Sequence, residues 1–501
     1  MAQGSAPQNQ VAQFRSDGFN ATTGLRVPLY TENFDRTNIS IPVRVINQLV
    51  ESTPIREESV YRAAAGLREL HYSRPGLVNA VTRGAGPCRG LFSQPGIFNG
   101  AFFMVSGTTF YNDNFAFGSC PGTDYVRFAA ARYQVVAVTG GVAYIYNNGA
   151  SGFGPLVSSI LPPVSDVAYL GGRFVYTCQG SDTFYYSAIG DAANINGLNF
   201  ATAGSYPDAV VAVAVLNEEL VFFGQNSTEF WQVTSDPNQP FQPVVGRGFQ
   251  RGCAARMSVA FVDNSLFWVS ETRVVYRAGP DAPHRISTST IEDKLRQCMN
   301  IAGLVAMSAT FEGHEIYVLT IPGIGTYAYD ASRVGSRESD RGEWAEWQSW
   351  NRSTFRGQFA IQSFGQTLCG DDTNGNVWAF TVGAYADGPD PLVRVASAFI
   401  KIEEGTPRCD NLVLRCQVGV GNANDPGANP TVEMRYSDDQ GRNFSDWRAG
   451  QLGRQGTSYT RVFWTRLDNM RAPGRLVEIR CSDSVNMVVS HLEMNCLRPA
   501  I

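Results

Sequence analysis

The residues best arranged for chemistry form one short hairpin, Ser437-Asp-Asp-Gln-Gly-Arg-Asn-Phe444. It matches the Asp-box pattern Ser-x-Asp-x-Gly-x-x-aromatic, with Ser437, Asp439, Gly441 and Phe444 at the defining positions. A hydroxyl and a carboxylate at that spacing bond backbone amides of their own turn, the glycine permits the reversal, and the ring packs beneath it. The chemistry implied is the holding of a turn. The hairpin occurs once, outside the repeated part of the chain, so it reads as structural.

Other candidates are weaker. Asp371-Asp-Thr-Asn-Gly-Asn376 resembles the start of a calcium loop but lacks the distal glutamate, and reads as a hairpin turn leading into Val377 and Trp378. His71, His284, His314 and His491 stand far from one another and from any cysteine at ligand spacing, so no metal site is expected. No nucleophile elbow, P-loop, H-E-x-x-H or dinucleotide fingerprint is present. Glu57-Glu58, Glu218-Glu219 and Glu403-Glu404 are adjacent pairs whose side chains diverge, as solvated faces and unlike an acid–base couple. Trp344, Trp347 and Trp350 offer a sugar-stacking platform on paper, with core or edge packing the simpler reading. No catalytic residue, cofactor or metal is expected.

The elements around these residues carry more information than the residues do. From about 86 to 385 a unit recurs: an apolar entry strand, a turn with Gly, Asn or Asp, a strongly apolar strand, a second turn, and a strand ending in an aromatic. Val135-Val-Ala-Val-Thr-Gly-Gly-Val-Ala-Tyr-Ile-Tyr146 and Asn217-Glu-Glu-Leu-Val-Phe-Phe-Gly-Gln-Asn-Ser-Thr-Glu-Phe-Trp231 are examples. The closing aromatics are Tyr111, Tyr146, Tyr186, Trp231, Tyr276, Tyr329 and Trp378, at spacings of 35, 40, 45, 45, 53 and 49 residues. Four-stranded propeller blades recur about every 40–45 residues. A small twisted sheet cannot bury both faces alone, so such sheets pack face to face in a closed ring. Runs such as Leu220-Val-Phe-Phe223 suit strands covered on both sides. The repeat predicts an all-β protein with a β-propeller of about seven blades over 86–390.

Between the fifth and sixth units, Ser287-Thr-Ser-Thr-Ile-Glu-Asp-Lys-Leu-Arg-Gln-Cys-Met299 reads as a short capped helix with Ile291, Leu295 and Met299 on one face. Residues 391–501 change grammar to alternating strands, among them Asn411–Val418, Thr431–Tyr436, Arg475–Arg480 and Val485–Val489, which predict a β-sandwich. Residues 1–20, rich in Gln, Asn, Ser and Gly, read as a flexible arm, and 21–85 as a platform segment that the sandwich completes.

Composition narrows the function. The net charge is −5 and no basic run marks a DNA-gripping face, so a duplex would slide past a faintly acidic wall. Lys294 and Lys401 are the only lysines among 40 basic residues, an imbalance that codon bias explains more simply than a demand for bidentate guanidinium contacts. Ten cysteines are scattered without a C-x-x-C pair and read as buried free thiols of a protein assembled in a reducing cytoplasm. Neither an N-terminal apolar core nor a membrane-length apolar run occurs, so no membrane insertion is expected.

Several weak motifs in order carry a resemblance. Asp208-Ala-Val-Val-Ala-Val213 through Phe223–Trp231, then Arg251-Gly-Cys253, the hairpin Asp263–Tyr276 and Ser287-Thr-Ser-Thr-Ile-Glu292 resemble the packaged-DNA stabilisation, or tail hub, proteins of short-tailed phages. So do the Asp-box hairpin, Val462-Phe-Trp-Thr-Arg466 and Arg475–Val489, the likeness spanning roughly 45 to 497. The resemblance implies a non-enzymatic nozzle subunit in the virion tail, assembled in the bacterial host cytoplasm as a homo-oligomeric, hexameric ring. Its implied partners are the adaptor and portal ring, tail fibres or spikes, a tail needle or plug, and double-stranded DNA in non-specific passage. Two other classes fit a propeller: a glycosidase or sialidase-like carbohydrate-active enzyme, which would need an arginine cluster and a nucleophile at the propeller mouth, and an interaction scaffold unrelated to phage.

Overall fold

The computed structural model describes residues 25–28, 44–54, 67–113, 115–148, 152–204, 206, 208–279, 282–333, 344–402, 406–423 and 427–497. The chain divides into two compact units: Asn79–Gly342 with Ser353–Phe380, and Met1–Val78 with Glu343–Arg352 and Thr381–Ile501.

The first unit is the propeller. Five antiparallel four-stranded sheets follow in chain order, opening at Cys88–Phe92, Arg127–Ala130, Val164–Leu170, Val210–Leu216 and Ala260–Val262. Blade six contributes Val305–Phe311, His314–Ile321 and Gly325–Asp330, and blade seven Gly357–Ser363, Gln366–Asp371 and Asn376–Thr381. Beside the last strand lie residues 79–82 of the early strand Gly76–Thr82. There Thr82 Oγ1 donates to Asn376 Oδ1 at 2.6 Å and the Arg83 N–H to the Gly375 carbonyl at 2.7 Å. The opening strand of each blade lies against that of the next, with the turn Arg256–Ser258 interposed after blade four, and the opening strand of blade seven returns to that of blade one. The expected propeller is present and closes.

Alternation explains the apolar runs. In blade two, Val135 and Ala137 point toward Phe103 and Phe110 of blade one, whereas Val136 and Val138 point toward Phe174 and Tyr176 of blade three. In blade four, Leu220 and Phe222 face Phe184 of blade three, while Val221 and Phe223 face Leu266 and Trp268 of blade five. Blade seven meets blade one through Phe359, Leu368 and Val377 against Leu91 and Met104. Every second strand must therefore be apolar at consecutive positions. Phe222, 1% exposed and 4.5 Å from the Phe184 ring, tests this arrangement. Phe222→Ala is expected to cost about 3–5 kcal/mol of stability, because a rigid ring interior collapses poorly onto a cavity. Denaturant unfolding monitored by fluorescence measures it.

The seven aromatics of the repeat fall on the third strand of each blade, from Thr109–Asn112 to Asn376–Thr381, and do not close the unit. The fourth strands are half-exposed or more, and short except for Phe241–Phe249 of blade four, as Phe115–Ser119 and Phe200–Thr202 show, and so carry little apolar signal. The helix runs over Ser289–Gln297, capped by Thr288, whose hydroxyl accepts from the Ile291 N–H at 3.4 Å. Ile291 and Leu295 are buried as expected. Met299 is not on that face: the helix ends at Cys298, and Met299 stands 99% exposed beyond it.

The second unit is a sandwich. One sheet is ordered Gln48–Pro54, Leu67–Ser73, Val488–Leu497, Arg408–Cys416, Val462–Thr465, with Leu25–Pro28 also paired to Val488–Leu497. The other includes Trp344–Trp347, Val45–Ile46, Arg394–Lys401, Gly474–Cys481, Thr431–Ser437 and Arg448–Gln451, in that order. Ala396, Ala398, Met434 and Ile479 from one side meet Leu412, Leu414, Trp464 and Leu492 from the other. Both sheets draw on distant parts of the chain. Asn47, in the left-handed region at φ 55°, joins them: its Nδ2 donates to the Gln348 and Val393 carbonyls at 2.9 and 2.8 Å, and its Oδ1 accepts from Arg74 Nε at 3.0 Å.

Candidate functional site

In the Asp-box hairpin the Ser437 hydroxyl accepts the Gly441 N–H at 2.9 Å and donates to Asp439 Oδ1 at 2.7 Å. Asp439 in turn accepts the Asn443 N–H at 2.8 Å and Asn443 Nδ2 at 2.6 Å. Gln440 and Gly441 take positive φ, 64° and 85°, which reverses the chain. The Asn443 N–H, the Ser437 hydroxyl and the Asn443 amide together lower the Asp439 pKa to about 2.

The chain that leaves the turn lays two rings over guanidinium groups. Arg435 lies 4.0 Å from the Phe444 ring and 4.5 Å from Trp447, and Arg480 lies 4.0 Å from Trp447 on the neighbouring strand. Each guanidinium also donates to a cross-strand carboxylate, Arg435 to Glu478 and Arg480 to Glu433, both at 2.6 Å. Arg475 pairs with Asp438 inside the turn at 2.6 Å and stacks on Tyr436. The polar groups of the hairpin are thus consumed in holding rings and arginines against the sheet. As the folded Asp439 pKa is depressed, its bonds stabilise the hairpin fully above the unfolded value and are lost as pH falls from about 4 toward 2. The Asn443 amide is expected to gain hydrogen-exchange protection across that window as pH rises, and Asp439→Asn to abolish the pH dependence.

The remaining sequence candidates do not converge. Trp344 and Trp347 are buried, and Trp350 alone is 44% exposed, at the edge of a cleft of about 270 Å³ with Gln348, Asn351 and Arg352. Three rings in one plane are not available. Asp371 Oδ1 accepts the Thr373 N–H at 2.8 Å and the Asn374 N–H at 3.2 Å, and Oδ2 accepts Trp378 Nε1 at 2.8 Å, the arrangement of a hairpin turn. His71 is buried, His314 pairs with Asp330 at 2.5 Å, His284 is exposed, and His491 bonds Ser490 at 2.8 Å. Among the described residues no three His, Cys, Asp or Glu groups gather at metal-binding distance. Glu57-Glu58 and Glu403-Glu404 lie outside the described residues. The nine described cysteines are free, and burial pushes the Cys88 and Cys416 thiols up to about 12 and those of Cys178 and Cys253 to about 11, leaving them protonated and unreactive at neutral pH.

One cluster had no sequence signal beyond isolated charges on apolar strands. Between the opening strands Arg256 donates to the Ser165 carbonyl of blade three and to the Tyr125 carbonyl, which precedes blade two, the latter at 2.7 Å. Asp166 accepts from the Val167 and Val213 N–H groups at 2.9 and 3.1 Å and pairs with Arg127 at 3.2 Å. Arg89 spans the carbonyls of Asp124, Gly107 and Cys120 at 2.8, 3.0 and 2.7 Å. Burial lowers the Arg256 pKa, opposed by Asp166. These groups stitch neighbouring opening strands together, where a glycosidase would hold carboxylates open toward a sugar.

A family model described as Bacteriophage P22 Gp10, beta-propeller, matches residues 46–382, and a second, Bacteriophage P22 Gp10, beta-sandwich, matches 393–496. The tail hub protein gp10 of Salmonella phage P22 is 23% identical over 350 residues, covering 65% of this chain and 72% of its own. Among solved structures, the computationally designed Ika8 protein is 10% identical over 68% of this chain and 100% of its own, with a TM-score of 0.36. Raptor from Chaetomium thermophilum is 10% identical over 62% of this chain and 29% of its own, with a TM-score of 0.39. The resemblance carried by the ordered motifs is borne out by the two family matches, which follow one another along the chain as propeller and sandwich do: the protein belongs to the family of the phage P22 tail hub protein Gp10.

Proposed function

We propose that the protein is the structural tail hub, or nozzle, subunit of a short-tailed phage, with no enzymatic activity of its own. Six copies form a ring below the portal and adaptor, retain the packaged DNA, support fibres or spikes, meet the tail needle or plug and line the ejection channel. In this reading the propeller over 86–390 is the outer body. The segment 21–85 and the sandwich over 391–501 form the platform that meets the adaptor, with residues 1–20 as an arm ordered by a neighbour. Assembly in the host cytoplasm suits cysteines that are mostly buried and outside disulfides among the described residues.

The observation that carries the reading is the succession of both family segments over 46–496 on a scaffold whose polar clusters are spent on structure. Purified protein mixed with portal–adaptor complexes is expected to add a ring in negative-stain images. Absence of both ring and binding, or turnover of a fluorogenic glycoside by the same preparation, would overturn it.

A further inference from the structure

The arginines of the sandwich are unevenly placed. Residues 442–471 hold six arginines and two aspartates, a local balance of +4 within a chain of −5. They recur every five to seven residues and so form no run. Arg454, Arg461 and Arg466 are exposed and form no ion pair among the described residues. Arg448 lies alongside, donating to the Thr465 and Arg466 carbonyls at 2.8 and 3.2 Å.

Two rings stand among these cations. Strand Val462–Thr465 alternates, with Val462 and Trp464 in the core and Phe463 outward, 55% exposed, two residues from Arg461. Tyr459, on the preceding loop, is 97% exposed. That loop folds back on itself: the Thr457 N–H donates to the Arg454 carbonyl at 3.0 Å, and Gly453 packs so closely on the Thr457 and Thr460 hydroxyls that a Cβ there would lie 2.5 and 2.6 Å from them. Arg454 and Arg461 are thereby kept together. Exposed rings interleaved along the chain with guanidinium groups that form no ion pair are the chemistry of a protein interface, where the rings leave water and the cations find carboxylates. A DNA duplex would use the arginines and leave the rings wet.

The complementary chemistry is on the same chain. Residues 164–250, in blades three and four, hold eight carboxylates, of which Asp166 and Glu229 are buried, against two arginines. Glu218 and Asp236 are exposed and Asp191 is half-exposed, none of them with a cationic partner among the described residues. Ile189, 72% exposed, lies against the Gly172 turn, and Val233, 41% exposed, against Gly171. Val233 also follows Gln232, which pairs in register with Glu219 beside Glu218. Acids and exposed aliphatics therefore share one rim of two adjacent blades.

We infer that these surfaces are the two halves of a head-to-tail contact, the arginine–aromatic surface of one copy seated on the acidic rim of the next. Two different, complementary patches propagate around a ring, as a self-complementary patch does not. The inference rests on the ring reading above and names the surfaces that build it.

A charge swap in the full chain tests it. Arg454→Glu with Arg461→Glu, and separately Asp191→Arg with Glu218→Arg, are each expected to weaken self-association about tenfold or more in sedimentation. The chain carrying all four substitutions is expected to regain it, a rescue that misfolding cannot mimic. Wild-type assembly in either pair variant, or no rescue in the fourfold chain, sinks the inference while a ring on the portal–adaptor leaves the hub reading standing. A wild type that never self-associates, alone or with portal–adaptor, sinks both. Pair variants that assemble normally but lose binding to duplex DNA would assign the arginines to DNA and overturn the contact.

Discussion

Expressed by itself, the segment 391–501 is expected to remain unfolded, with no cooperative melting transition, poorly dispersed amide resonances and strong binding of an apolar dye. The sequence matched as a sandwich begins at 393, and on that basis a fragment starting there looks self-sufficient. The strand order says otherwise. Such a fragment lacks Gln48–Pro54 and Leu67–Ser73 from one sheet, and Val45–Ile46 and Trp344–Trp347 from the other. The long strand Val488–Leu497 would lose its pairing at His71↔Val489 and Tyr72↔Val488, and Arg394–Lys401 its partner at Val45↔Ala396. Open apolar edges of this kind pair with other chains before they stay in solution.

Arg394 sharpens the expectation. It is fully buried and donates to Ser73 Oγ at 3.1 Å, to the Val485 carbonyl at 2.7 Å and to Cys481 Sγ at 3.2 Å. Without the strand Leu67–Ser73 the guanidinium keeps its acceptors at Cys481, Asp483 and Val485 but loses the Ser73 hydroxyl, and a buried polar group deprived of a partner is unfavourable. A monodisperse 391–501 fragment with a sharp thermal transition would refute the shared-sheet account of this unit.

The same physics explains what could be read from the residues alone. The propeller was legible because burial on both faces forces apolar runs such as Val135–Val138, and ring closure forces their period. The fourth strands were not, since Phe200–Thr202 is half in water and carries no pattern. Nor could the sequence show that residues 79–82 complete blade seven, because pairing across nearly 300 residues leaves no local mark. The hairpin at Ser437 is the opposite case: its bonds reach only from Ser437 to Gly441 and from Asp439 to Asn443, so four residues of spacing contain all of its chemistry. The stacking of Trp447 between Arg435 and Arg480 depends on the pairing of Arg435 with Glu478 in another strand, and was invisible. Met299 failed for a simpler reason, as the periodicity outlasted the helix that was meant to carry it.

A single-site effect as large as that of the Phe222 cavity is expected at Arg74. Its side chain and that of Asp387 are both 0% exposed, and they meet through two parallel bonds, Nη1 to Oδ1 at 3.0 Å and Nη2 to Oδ2 at 2.6 Å. Arg74 Nε donates to Asn47 Oδ1 at 3.0 Å, and the guanidinium sits 5.5 Å from the Trp347 ring. One cation thus ties together residues 47, 74, 347 and 387, drawn from all three chain segments of the sandwich unit. Arg74→Met is expected to destabilise by about 3–5 kcal/mol, because Asp387 stays buried without its counter-charge. Asp387→Leu is expected to cost as much for the mirror reason. The double variant Arg74→Met with Asp387→Leu should cost less than either single change, since apolar groups of similar volume remove the desolvation penalty along with the attraction. A thermodynamic cycle over these chains in urea measures the coupling. Additive single costs would mean that the pair is held by its surroundings and contributes no mutual stabilisation. A favourable coupling would identify this ion pair as the joint on which the three-segment sandwich depends.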